Sequence, residues 1–258
     1  VISWTAMIGA YAQSDEGGNA FELFKQMKQK GLKPNKVTFA TLFDACTSKE
    51  LLTGCKDVHR DIIGGKVELD PYVGTALINM YGRFECLEDA KTMFEKMPIH
   101  DEIMWNAMIT ASAHNGEGKI ALKMFRDMQE QGMIPNKVTF VSTCDACAID
   151  LSLSEGKQLH TRILVTRLEP DVVLATAFIN MYGRCGCLDD AKLIFDLIPK
   201  KDVVSWTAIV AGYTEYGHDE EALSCYRNLQ LEGIAPNEVT FVCILNCCGS
   251  LGALCTGK

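Results

Sequence analysis

The chain repeats itself every 101 residues, and that period limits what it can fold into more than any other feature. Trp4-Thr5-Ala6-Met7-Ile8 returns as Trp105-Asn106-Ala107-Met108-Ile109 and again as Trp206-Thr207-Ala208-Ile209-Val210. Pro34-Asn35-Lys36-Val37-Thr38-Phe39 returns at Pro135 and, as Pro236-Asn237-Glu238-Val239-Thr240-Phe241, at Pro236. Ile78-Asn79-Met80-Tyr81-Gly82-Arg83 returns at Ile179. Without a gap, 44 positions of residues 1–101 are identical in 102–202. A fixed period of this kind belongs to arrays in which each copy buries its apolar face against the next.

Each block divides again into stretches of 35, 35 and 31 residues: 1–35, 36–70 and 71–101. A small residue recurs at the twentieth position (Ala20, Ala90, Ala121, Ala191, Ala222). An aromatic recurs four residues later (Phe24, Phe94, Phe125, Phe195, Tyr226). This spacing predicts two tightly crossing antiparallel helices per unit. The first helix is expected to start after a capping Ser3, Thr38, Ser205 or Thr240, and to place Trp4, Met7, Ile8 and Tyr11 on one stripe. The second opens on acids suited to the helix dipole (Glu88-Asp89, Asp189-Asp190, Asp219-Glu220-Glu221). It carries Ala20, Leu23, Phe24 and Met27 inward and stops at Gly31, with Pro34 beyond. The 31-residue units lose about one helical turn there. The expected class is all-α, an α-solenoid forming a single repeat array over 1–258.

Composition narrows the functions. At 258 residues, 48% apolar and 22% charged, the chain can bury a large core. No apolar run approaches a membrane span. The start, Val1-Ile2-Ser3-Trp4, shows no signal or transit peptide and no initiator Met, as expected of a segment of a longer protein. The twelve cysteines read as reduced, small core residues. A net charge of −8 argues against a generic polyanion binder, because such affinity comes from Lys and Arg on phosphates. It leaves room for a binder that works through bases.

The residues that imitate chemistry dissolve into the repeat. Cys144-x-x-Cys147 could be half a metal or redox site, but Cys144 aligns with Phe43 and Leu245, so it reads as core. Cys185-x-Cys187 reads the same way, since Cys185 aligns with Phe84. His59 and His160 take the aromatic position and are expected to be helix–helix contacts. His100-x-Glu102 resembles the start of a nucleobase-deaminase motif, but no proline is followed by cysteine to complete a zinc site. No phosphate loop, His-Glu-x-x-His or nucleophile elbow is present. The expectation is a chain that is not an enzyme, with no cofactor, no metal and no small-molecule substrate.

The Ser-Trp-Thr-Ala-Met-Ile type of start, the Gly-Leu-Lys-Pro-Asn type of end and the 35-35-31 triplet resemble the pentatricopeptide repeat, in its plant organellar P-L-S subclass. The resemblance covers the chain as P 1–35, L 36–70, S 71–101, P 102–136, L 137–171, S 172–202, P 203–237 and a truncated L 238–258. It implies a right-handed superhelix of helix-turn-helix repeats that binds single-stranded RNA, one base per repeat. Carried over by position, the base-reading pairs are Thr5 with Asn35, Thr75 with Asp101, Asn106 with Asn136, Thr176 with Asp202, and Thr207 with Asn237. The base-sandwiching residues are Ile2, Val37, Tyr72, Ile103, Val138, Val173, Val204 and Val239.

An acceptor-only Asp suits the ring N–H of G and U, and an Asn amide suits the ring nitrogen and amino group of A and C. The family rule adds that Thr at the fifth position goes with purines and Asn with pyrimidines. The L pairs, Ala40 with Asp70 and Val141 with Asp171, have no hydrogen-bonding side chain at the fifth position and should read weakly or not at all. The predicted site is 5′-A-n-G-Y-n-G-A-3′, with n unread. The resemblance further implies a mitochondrial or chloroplast protein that specifies sites of C-to-U RNA editing, with protein editing cofactors as possible partners of the L units. The alternative reading is a protein-binding helical scaffold, which the acidic balance and the unread L units would suit.

Overall fold

The computed structural model describes residues 1–64, 70–166, 171–250 and 252, and among these it contains fifteen α-helices and no strand. Residues 65–69 and 167–170, within the stretches expected to be L units, and 251 and 253–258, within the expected truncated unit, lie outside the described residues. The helices come as hairpins. The first helices are α1 (Ile2–Gln13), α3 (Lys36–Asp44), α5 (Pro71–Arg83), α7 (Glu102–His114), α9 (Lys137–Ile149), α11 (Val172–Arg184), α13 (Val203–Glu215) and α15 (Glu238–Ser250). The second helices are α2 (Gly17–Gln29), α4 (Lys49–Gly64), α6 (Leu87–Lys96), α8 (Gly118–Glu130), α10 (Leu153–Thr166), α12 (Leu188–Leu197) and α14 (Asp219–Leu231).

The chain forms two compact units, one of residues 1–115 with 123–134, the other of 116–122 with 135–258. In the first, α1, α3, α5 and α7 pack side by side in chain order, and α2, α4 and α6 cover them. In the second, α9, α11, α13 and α15 do the same under α10, α12 and α14. Hairpins stacked on their neighbours, with no contact layer beyond them, define an α-solenoid.

The repeated small residues carry the crossing. Ala20, Ala90, Ala121, Ala191 and Ala222 are all fully buried. Successive first helices also meet at small residues. A Cβ on Gly82 would lie 2.6 Å from the Ala111 Cβ, and Gly183 meets Gly212 backbone to backbone. Phe94 is sandwiched between His100, stacked at 4.1 Å, and Trp105, edge-on at 4.7 Å. Phe195 and Trp206 repeat the edge-on contact at 4.6 Å.

The starts and stops have local causes. The sequence reading puts the caps on Thr38, Ser205 and Thr240; the structure corrects this. The capping side chain belongs to the preceding Asn35, Asp202 or Asn237, and the hydroxyl sits three residues inside the helix. In the boxes at Asn35, Asn136 and Asp202 that hydroxyl accepts the N–H of the capping residue in return. Ser3 lies within α1, where it caps nothing. The predicted stop at Gly31 holds: with φ +71°, its N–H bonds Lys28 O, and Leu32 N–H bonds Met27 O. The same closure recurs at Gly132 and Gly233. In α6 and α12 the residues before proline, Met97 and Ile198, turn extended, which ends these helices after ten residues.

Two details depart from expectation. Leu23 is only half-buried, and Phe21 takes the inward place. Met7 is exposed although its equivalents Met108 and Ile209 are fully buried, because the side of α7 that α5 covers is open on α1.

Candidate nucleic-acid interface

Three sets of predicted site residues fall along the first helices. The second residue of each unit is an exposed apolar side chain in every case: Ile2, Val37, Tyr72, Ile103, Val138, Val173, Val204 and Val239 are between 44 and 86% exposed. Exposed apolar residues are ordinary singly. Here four recur at one repeat position in each compact unit, and each is a surface on which a flat ring could lie.

One turn further along, the fifth residue is tucked in. Asn106, Thr176 and Thr207 are buried, and Thr5 and Thr75 half-buried. Ordinary solvent-facing positions would not be. Thr5 Oγ1 lies 2.7 Å from Thr38 Oγ1, and the Thr38 hydroxyl donates to Asn35 Oδ1 at 3.0 Å. The arrangement recurs 202 residues on, where Thr207 Oγ1 lies 2.7 Å from Thr240 Oγ1 and the Thr240 hydroxyl donates to Asn237 Oδ1 at 2.9 Å. Fifth and last residues are thus tied into one hydrogen-bonded group within each of these two repeats. Thr176 differs: its hydroxyl is buried and has no partner in the protein. An orphaned buried hydroxyl costs on the order of 1–3 kcal/mol unless a ligand or water satisfies it.

The last residue of each unit caps the next first helix, and the cap decides which polar atom faces outward. Asn35 Oδ1 accepts the Thr38 N–H at 2.9 Å, and Asn136 and Asn237 do the same for Thr139 and Thr240. Only the amide oxygen can accept a backbone N–H, so the side-chain NH2 points away from the helix as a donor. Asp101 Oδ1 accepts the Met104 N–H and Asp202 Oδ1 the Ser205 N–H, each at 2.8 Å. Their second oxygens face outward as acceptors. The cap therefore makes Asn a fixed donor and Asp a fixed acceptor.

The carboxylates that end residues 36–70 and 137–171 sit differently. Asp70 and Asp171 bond the N–H two residues on, of Tyr72 and Val173, at backbone ψ of 133° and 136°. The first-helix caps Asn35, Asp101, Asn136 and Asp202 instead lie within about 10° of ψ 180°. The second oxygens of Asp70 and Asp171 are taken by Lys36 Nζ at 3.0 Å and Lys137 Nζ at 2.7 Å. Those lysines hold both carboxyls below the ordinary carboxylate value. At the fifth position of the same units, Ala40 is buried and Val141 half-buried.

The look-alike chemical motifs are packing. Cys144 and Cys147 are fully buried, and burial pushes both thiols up, Cys147 to about 12. His100 Nε2 meets Phe94 O at 2.8 Å. His59 and His160 pair through Nδ1 with Tyr81 and Tyr182 hydroxyls at 2.7 and 3.0 Å, and burial lowers both histidines below 6.5. Among the described residues no three His, Cys, Asp or Glu side chains group as metal ligands, and no helix is long and apolar enough to cross a membrane. Sequence reasoning missed the hydroxyls of Thr38 and Thr240 and the ammoniums of Lys36 and Lys137 as parts of this face. These residues recur in Asn35-Lys36-Val37-Thr38-Phe39, in the same run at 136–140 and in Asn237-Glu238-Val239-Thr240-Phe241, but the runs do not show the distant partners.

A solenoid with this face is one of the helical-repeat proteins, and the family follows from comparison. Models of the PPR repeat family match residues 1–48, 100–149 and 201–250, and the PPR repeat matches 75–100 and 173–203. Pentatricopeptide repeat-containing protein At2g33680 of Arabidopsis thaliana is 34% identical over 97% of the chain and 34% of its own length. At4g18520 of the same plant, named chloroplastic, is 32% identical over the whole chain and 42% of its own length. The chain spans about a third of the curated relatives it matches. The maize pentatricopeptide repeat protein PPR10 superposes with a TM-score of 0.80, and a structure of PPR10 in complex with an 18-nucleotide psaJ RNA element with 0.82. The RNA-bound structure covers 96% of this chain and 38% of the PPR10 chain, at 18% identity. The chain belongs to the pentatricopeptide repeat family. The matched models describe a repeat rather than a catalytic fold.

Proposed function

We propose that this chain binds single-stranded RNA in a sequence-specific way, one base per repeat, at 5′-A-n-G-Y-n-G-A-3′. The observation that carries the reading is the orientation imposed by the caps: Asn35 and Asn237 present a donor and Asp101 and Asp202 an acceptor, each beside an exposed apolar residue. A donor meets the ring nitrogen of A or C; an acceptor meets the ring N–H of G or U. The family rule for the fifth residue then selects purines at Thr5, Thr75, Thr176 and Thr207 and a pyrimidine at Asn106. The orphaned Thr176 hydroxyl is a polar group that a base edge would satisfy.

The RNA bound to PPR10 supports the reading by likeness of fold. The P-L-S division given above, and site specification for C-to-U editing by the full-length protein, belong to the same proposal. Deamination would come from a further part of the protein or from a recruited partner, and the L units are candidates for contacts to such protein cofactors. Relatives named chloroplastic or mitochondrial favour an organellar setting.

The test is Asp101→Asn. Either side chain can cap α7, so folding should be unchanged, while the base preference opposite this unit moves from G toward A. Each good bidentate base contact discriminates by roughly 1–3 kcal/mol, or about 5- to 150-fold. A protein-binding scaffold would show no change in RNA preference.

A further inference from the structure

The two described L-type units differ from the rest at three points: the fifth residue, the cap, and a lysine at the first position. Lys36 and Lys137 each reach 34 residues along the chain to the aspartate that ends the same unit. The S units end on aspartate too, but they begin on Pro71 and Val172, which cannot form such a pair. Asp101 and Asp202 keep an outward oxygen; Asp70 and Asp171 have both oxygens committed, one to a backbone N–H and one to an ammonium.

We propose that Lys36 and Lys137 are specificity-determining residues: each masks the carboxylate at the end of its own unit, so that residues 36–70 and 137–171 pass over a base without reading it. This rests on the base-reading proposal above. A base seeking the second oxygen of Asp171 must displace the Lys137 ammonium and must approach a side chain turned toward the second helical N–H. An exposed ion pair biases such a competition by up to about fivefold. The missing hydroxyl at Ala40 and Val141 is therefore only half of the silence. Adding one should not be enough to make these units read.

The unit 137–171 is the place to test it, because Val141 is half-buried and Thr is its isostere, whereas Ala40 is buried. Four forms of the chain are titrated by fluorescence anisotropy against A-n-G-C-n-G-A RNAs whose second n is G or A. Wild type should bind both within twofold. Val141→Thr should stay near twofold. Val141→Thr with Lys137→Met should prefer G by about fivefold or more. Replacing Lys137 by Arg instead, which keeps the charge, should leave Val141→Thr unchanged.

A double variant with Met no more selective than Val141→Thr alone would overturn the masking. So would full selectivity in Val141→Thr alone. Asp101→Asn, read in the same assay at the third base, separates the layers. If it switches preference while the Lys137 series does not, the base reading stands and the masking falls. If neither responds, both fall. Circular dichroism melts of each variant exclude unfolding as the cause.

Discussion

At the residue scale, the last Asp or Asn of a unit serves two ends with two atoms. One oxygen caps a helix; except at the lysine-paired Asp70 and Asp171, the other polar atom is left for a ligand. Asp101→Ala removes both, and should cost about 1 kcal/mol of stability as well as base preference, whereas Asp101→Asn should change preference alone. Chemical denaturation of the two variants beside their RNA titrations checks the contrast. Histidines give a second residue-scale prediction. Burial lowers His59 and His160 below 6.5, so the unfolded chain binds more protons as the pH drops through that value. The stabilisation from keeping them neutral is complete above pH 6.5 and is lost below it. Melting temperature should fall between pH 7 and pH 5.5, and His160→Phe should flatten part of the fall.

The proposed reading positions enter through the family resemblance, and repetition carries each of them from one unit to its copies. Thr38 was harder. A Ser or Thr before an apolar run reads as a cap, and only geometry shows that Asn35 holds that role while the threonine hydroxyl links Asn35 to Thr5. The lysine pairs were hidden for another reason: their partners lie 34 residues away, and no local pattern joins them.

At the element scale, at least five of the hairpin turns repeat one conformation with different residues. Gly116, Gly186 and Gly217 adopt positive φ, and so do Asp15 and Glu85 at the equivalent places, each at φ 58°. A side chain with a Cβ is strained there. Glu85→Gly should therefore leave the structure intact, the strain relief of about 1–2 kcal/mol being offset in part by the freer unfolded chain. Gly132→Ala, at φ +77°, should destabilise by about 1 kcal/mol or more. Urea denaturation of the pair tests both signs at once. Phe94→Ala should cost roughly 3–5 kcal/mol, since that ring is buried between His100 and Trp105. Helix periods, the glycine stops and the proline-shortened helices α6 and α12 were legible in the sequence, because each has a local steric cause. The inward turn of Phe21 in place of Leu23 was not, since both fit the stripe and neighbouring helices decide between them.

At the scale of the whole molecule, the hairpins within each compact unit repeat one arrangement, and on the proposed reading each hairpin offers one site for a base. On that reading specificity accumulates by unit, and units of unequal strength set the spacing of the bases that matter. The formal charge of −8 limits the contribution of phosphate contacts, so base contacts must carry a large share of any preference. The most direct measurement is an anisotropy titration at about physiological salt. It compares an RNA containing A-n-G-C-n-G-A with the same RNA in which both G bases are A. Tenfold or greater preference for the first is the predicted result. Equal affinity for both, from a folded helical protein, would contradict base reading by these repeats.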